Sequence, residues 1–120
     1  MADNVIKTKS FSFALRIIKL FRFLKEEKQE FILSKQLLRS GTAIGALVRE
    51  SEQAESKKDF IHKLAIAQKE AHETDYWLEL LFQSDYLSEA QFQSIKIDIV
   101  EINKILASII ITTKQKLAVK

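Results

Sequence analysis

At 120 residues the chain fits one domain, large enough to bury a core and too short for a core plus a separate functional domain. With no proline, two glycines, 47% hydrophobic and 29% charged residues, the composition excludes a disordered segment, a flexible linker and a turn-rich β fold. The lack of cysteine excludes disulfides, thiolate nucleophiles and cysteine metal sites together. A net charge of +3 is compatible with weak attraction to polyanions but falls short of the dense basic tract of a dedicated nucleic-acid binder.

The first predicted helix covers residues 10–28. It carries Phe11, Ala14, Leu15, Ile18, Phe21 and Leu24 toward a core, with Arg16, Lys19, Arg22, Lys25 and Lys28 set among them. A second helix over 34–54 is less regular, with Ser34 as its cap and an inward stripe of Leu37, Gly41, Ile44, Val48 and Ser51. Gly41 and Gly45 lie one turn apart inside it, and each costs about 1 kcal/mol against alanine. Close approach of a neighbouring helix is the expected compensation, and a break into two shorter helices is the rival.

The third helix, 57–83, has the clearest start: Ser56 and Asp59 form an S-x-x-D capping box. Phe60, Leu64, Ala67, Ala71, Thr74, Leu78 and Leu81 then recur in alternating steps of four and three, the seam of an antiparallel bundle. A fourth helix over 89–113 opens on a Ser88/Gln91 capping box with a Leu87/Phe92 hydrophobic staple. It repeats the seam through Phe92, Ile95, Ile99, Ile102, Leu106 and Ile109. The prediction is one all-α domain over 1–120, an antiparallel up-and-down four-helix bundle.

The apolar stretch from Phe11 to Leu24 is interrupted by Arg16, Lys19 and Arg22 and has no small-residue cleavage site, so the chain is expected to start near Met1 without a leader. Its most apolar run, Ile105 to Ile111, is far shorter than the ~20 residues a bilayer crossing needs. A cytoplasmic protein with no membrane partner is expected.

The first and fourth helices hold more apolar surface than one core uses. Ile97, Val100, Ile105 and Ile110, with Ile111, lie beside or behind the fourth seam, while Phe13 and Ile17, with Leu20 and Phe23, widen the first helix. A helix apolar over much of its circumference is buried on two sides, so these positions are candidate contacts between copies in a homo-oligomer.

The stretches SKQLLRSGTAIGALVRE and SKKDFIHKLAIAQKEAHETDYWLELL resemble the four-helix-bundle proteins of the 23S rRNA intervening-sequence family, over nearly the whole chain. That family has a Q-x-x-R-S-G-x-S-I-x-x-N-I-x-E-like segment before a long helix ending in E-x-x-Y-W-L-x-L; Gln36, Arg39, Ser40, Ile44, Glu50, Glu70, Glu73, Trp77 and Leu78 stand at matching positions. Ala43 replaces the usual serine and Leu47 the usual asparagine, so a role tied to that polar pair does not carry over. The resemblance implies a homopentamer with no established enzyme activity. It also implies kinship with the accessory variability determinants of diversity-generating retroelements, a similar fold that binds a reverse transcriptase and nucleic acid through a basic surface.

Three constellations are candidates for function. Ile66, Glu70, Glu73, Trp77 and Leu80 flank the third seam, holding two carboxylates between large apolar groups. Arg39 on the preceding helix can satisfy them as a structural ion-pair network, the alternative being acids that simply face water. The di-iron pattern of paired E-x-x-H motifs fails, because only Asp59 and His62 approach it and Lys69 precedes His72; no metal, cofactor, small-molecule substrate or catalytic role is expected. Arg16, Lys19, Arg22, Lys25 and Lys28 recur every third residue and could follow a phosphate backbone, against the alternative of an ordinary solvated face. Phe60, Tyr76 and Trp77 lie on or near the seam and are read as packing residues. The expectation is a homo-oligomeric binding module for RNA or a nucleic-acid enzyme, or else a structural scaffold for a protein partner with no nucleic-acid role.

Overall fold

The structure is a computed structural model that describes residues 2–119, with side chains from residue 5 onward. Four helices follow one another: α1 (Ala2–Glu26), α2 (Leu33–Ser51), α3 (Lys57–Gln83) and α4 (Glu89–Ala118). They pack side by side into a rod of 54 × 22 × 20 Å in which α1 touches α2 and α4, and α3 touches α2 and α4. Neither diagonal pair makes close backbone contact among the described residues, and the bundle is antiparallel throughout.

The core is the sum of the four seams. On α2, Leu37, Gly41, Ile44, Val48 and Ser51 are all buried; so are Leu64, Ala67, Ala71, Thr74, Leu78 and Leu81 on α3, and the whole α4 series from Phe92 to Ile109. Phe60, expected to lead the α3 seam, is only half-buried.

The first helix differs from its expected reading in both start and face. It begins at Ala2 and not at Ser10, and its buried series is Ile6, Ser10, Phe13 and Ile17, then Leu24 with Leu20 half-buried between them, a run one residue out of register with the expected one and sharing only Leu24 with it. Phe11 and Leu15, expected inward, are about half exposed at 50% and 49%. Phe13 and Ile17, expected at an interface between copies, are 1% and 0% exposed and belong to the core. The reason lies in α2: a Cβ on Gly41 would stand 2.8 Å from Ile17 Cγ1, and one on Gly45 would stand 3.4 Å from the Ser10 carbonyl oxygen. The glycines let α1 lie close on an unbroken α2, so the close-approach expectation holds and the break does not.

The turn between α1 and α2 is built around a buried acid. Gln29 takes a left-handed φ of 53°, and the Glu30 N–H donates to the Leu24 carbonyl at 2.9 Å. The Glu30 carboxylate then accepts from the backbone N–H groups of Ile32 (3.2 Å), Leu33 (3.0 Å) and Ser34 (2.7 Å), the orphan donors at the start of α2. Ser34, the expected cap, is itself buried and donates its hydroxyl back to the Glu30 carbonyl at 2.7 Å. Burial pushes the Glu30 carboxyl upward, but the backbone donors of Leu33, Ser34 and Ile32 with the Ser34 hydroxyl outweigh it and leave the pKa lowered.

At α3, Ser56 accepts from the Asp59 N–H at 3.0 Å as predicted, whereas the Asp59 carboxylate reaches the Glu55 N–H (3.2 Å) one residue beyond its expected partner. At α4 the Ser88/Gln91 box closes in both directions, at 2.8 and 3.1 Å. The last helix runs on past Thr113 to Ala118, since Lys114 to Leu117 are all sound helix formers and nothing in them stops the turn.

Candidate nucleic-acid interface

Two side-chain clusters and one groove define the surface. The first cluster is the predicted ion-pair network on the α2–α3 side. One Arg39 amine donates to Glu70 at 3.3 Å and the other to Glu73, which also accepts from the Trp77 indole N–H at 3.3 Å. Glu70 is the most enclosed of the three, with its side chain 16% exposed, and the Glu73 hydrogen bond is the main cause that raises the Arg39 pKa above its ordinary value. Beneath the network the Ser40 and Thr74 hydroxyls meet in full burial at 2.9 Å, and Thr74 also lies 2.8 Å from the Glu70 carbonyl. The arrangement ties α2 to α3 at three points, Arg39–Glu70, Arg39–Glu73 and Ser40–Thr74, and so fixes the register of the two helices.

The second cluster is the basic series of α1, and the structure divides it. Arg16 turns toward α4, where it donates to Asp98 (2.5 Å), the Ser94 hydroxyl (2.7 Å) and the Ser94 carbonyl (3.3 Å). Lys19, Arg22, Lys25 and Lys28 are in no ion pair among the described residues, and all four are exposed. Lys28 lies two residues beyond the end of α1, in the turn, with its ammonium 6.0 Å from the centre of the Phe23 ring.

The groove runs between α1 and α4, the sparsest of the four helix contacts. It encloses about 540 Å³, with Leu20, Phe23 and Ile95 on its walls and Arg16, Lys19 and Ser94 at its rim. No sequence pattern signals it, because its width depends on how far apart two helices stand.

The candidate contacts between copies also divide. Ile97 is 67% exposed and Val100 37%, and Ile111, about three turns beyond Val100 on nearly the same face, is 56% exposed. Ile105 is half-buried against the core and Ile110 is only 8% exposed, so Ile110, like Phe13 and Ile17, faces inward. Trp77 packs against the core, while Tyr76 is exposed and meets the Trp77 ring edge-on at 5.1 Å. His62 and His72 are exposed, and no three His, Asp or Glu side chains among the described residues are grouped as a metal ion requires. Among the described residues no helix is long and apolar enough to cross a membrane.

With this geometry in hand, comparison with known proteins decides the family. The model of the 23S rRNA-intervening sequence protein family matches residues 2–108. The chain belongs to that family. A crystal structure of a protein of unknown function from the S23 ribosomal protein family of Bacteroides thetaiotaomicron is 59% identical in sequence and superposes with a TM-score of 0.91. It covers 92% of this chain and 98% of its own. No curated protein matches the chain. The 23S rRNA-intervening sequence family match ends at residue 108, so the last ten residues of α4 lie beyond what its model describes.

Proposed function

We propose that this member of the family is a non-catalytic, self-assembling module that binds RNA through the outer face of α1. The observation that carries the reading is the division of the cations. Lys7, Lys9, Arg16, Arg39, Lys63 and Lys96 each pair with an acid of the same chain; of the described cations that do not, Lys19, Arg22, Lys25 and Lys28 form a regular exposed series three residues apart at one end of α1, whereas Lys35, Arg49, Lys57, Lys58, Lys69, Lys104, Lys114 and Lys116 are spread over the other three helices and their ends. Unpaired cations along a helix are what a phosphate backbone requires, and several copies side by side would multiply a modest charge.

Self-assembly is supported by two apolar faces on different helices. Phe11 and Leu15 stand exposed on α1, and Ile97, Val100 and Ile111 on α4. Two unlike patches on one chain suit a head-to-tail contact, which closes into a ring when the rotation between neighbours permits. The same faces favour a second reading, a scaffold for a protein partner with no nucleic-acid role.

Binding of a generic RNA oligonucleotide, followed as salt is raised, separates the two. The RNA reading expects binding at low salt that weakens linearly on a log-log plot, and a Lys19→Gln/Arg22→Gln variant whose slope falls by about 1.4, two contacts at ~0.7 each for single strands. No binding at low salt would leave the scaffold reading standing, and a monomer in sedimentation would remove self-assembly from both.

A further inference from the structure

We infer that the groove between α1 and α4 is a base-binding subsite, which makes the preferred ligand a single-stranded RNA and not a duplex. The inference rests on the RNA reading above and adds to it which form of the polymer is bound and where a base enters.

The groove has the composition that an unpaired nucleotide requires. Its volume of about 540 Å³ is within the ~300–1,000 Å³ of small-molecule sites, and its walls of Leu20, Phe23 and Ile95 offer an apolar slot for the face of a base. The rim is polar in a defined way. The Arg16 guanidinium is held to α4 by its bonds to Asp98 and to both oxygens of Ser94, which use three of its five N–H donors and leave two for a ligand. Gln91 spends its side-chain oxygen on the Ser88 N–H, so its amide N–H donors remain free for the edge of a base. A guanidinium plane held in place is a stacking surface for nucleobases, as aromatic rings are.

Charge selects the anionic backbone. Lys19 at the rim has no acid partner, and the Lys28 ammonium stands over the Phe23 ring, so two cations flank the slot beyond the Arg16–Asp98 pair that neutralises itself. Arg22, exposed one turn from Lys19 and outside the groove lining, continues the track for the next phosphate. A duplex keeps its bases stacked inside and could offer the groove only its backbone.

The test compares the intact protein with two variants. A single-stranded RNA of mixed sequence and a duplex of the same length are titrated at one low salt concentration. Ala90 is exposed on the first turn of α4 at the groove, so Ala90→Trp fills the slot without touching the core, and an unchanged urea midpoint checks the fold. Phe23→Leu keeps an apolar wall but removes the ring. The expected result is about a tenfold preference for the single strand, abolished by Ala90→Trp and reduced by Phe23→Leu. Equal binding of strand and duplex would overturn the subsite and leave the RNA reading intact. So would a preference that survives both variants. If neither RNA binds, the RNA reading itself falls and takes the subsite with it.

Discussion

The two sides of the bundle are built on opposite principles. Where α2 meets α1 and α3, glycines bring backbones together, a hydroxyl pair is sealed inside, and Arg39 ties two carboxylates to an indole. Where α1 meets α4, contact is sparse, a groove opens, and the cross-links are the ion pairs Lys9–Glu101 (2.9 Å) and Arg16–Asp98, all with side chains at least a third exposed. Exposed pairs of that kind contribute about 0–1 kcal/mol each. The cross-linking is therefore denser on the α2 side, and α1 and α4 are held together more loosely.

The sharpest way to break this comparison is to make the same deletion on each side. Ile44 on α2 is wholly buried between its neighbours, whereas Ile95, only 3% exposed, also lines the groove. Ile44→Ala should cost about 4 kcal/mol, near the upper part of the 2–5 range for such truncations, and Ile95→Ala about 2 kcal/mol, because solvent can enter the space it leaves. Urea unfolding of the two variants reads the difference directly. Equal losses would mean that the two sides are packed alike.

A second, smaller contrast lies within α2. Gly41→Ala places a methyl against the branched Cγ atoms of Ile17, a fully buried residue with nowhere to move, so it should destabilise by roughly 1–2 kcal/mol despite alanine's better helix propensity. Gly45→Ala meets the Ser10 backbone at 3.4 Å, an ordinary contact, and should leave stability unchanged or raise it by up to about 1 kcal/mol. The opposite signs would show that close approach of α1 is set at Gly41 and not by both glycines.

Why some of this was legible in the sequence and some was not follows from the residues themselves. The seams of α3 and α4 read correctly, Phe60 apart, because their four-three steps run unbroken and Ser56 and Ser88 mark the starts. The Arg39 network was legible because Glu70, Glu73 and Trp77 share a stripe with no other partner in reach. On α1 the signal was degenerate. Phenylalanine, leucine and isoleucine occur around most of the circumference between Phe11 and Leu24, so two registers satisfy four-three spacing. The one adopted places a serine, Ser10, in the seam beneath a glycine of another helix. That pairing is a tertiary fact, and so is the groove. Glu30 was missed as a cap because caps are sought among serine, threonine, aspartate and asparagine, which pointed to Ser34, whereas the group that accepts from residues 32–34 is a glutamate four residues earlier.

The smallest effect concerns those caps and pH. The α2 cap is a carboxylate, and the α4 cap is the neutral Ser88/Gln91 pair. Because the folded state holds Glu30 below its ordinary value of 4.5, it binds fewer protons than the unfolded chain near that pH. The stabilisation from Glu30 is complete above about pH 4.5 and is lost as pH falls through the lowered folded value. A Glu30→Gln variant keeps the shape but not the charge, and should be less stable than the parent by about 1 kcal/mol at pH 7, the usual size of a cap. At pH 3.5 the gap should narrow, since the parent is losing its charge while the variant has none to lose. The corresponding Ser88→Ala change should cost a similar amount at both pH values. Urea midpoints at pH 7 and 3.5 for the three proteins provide the check, and a Glu30→Gln gap that did not shrink in acid would mean that the carboxylate caps α2 by shape alone.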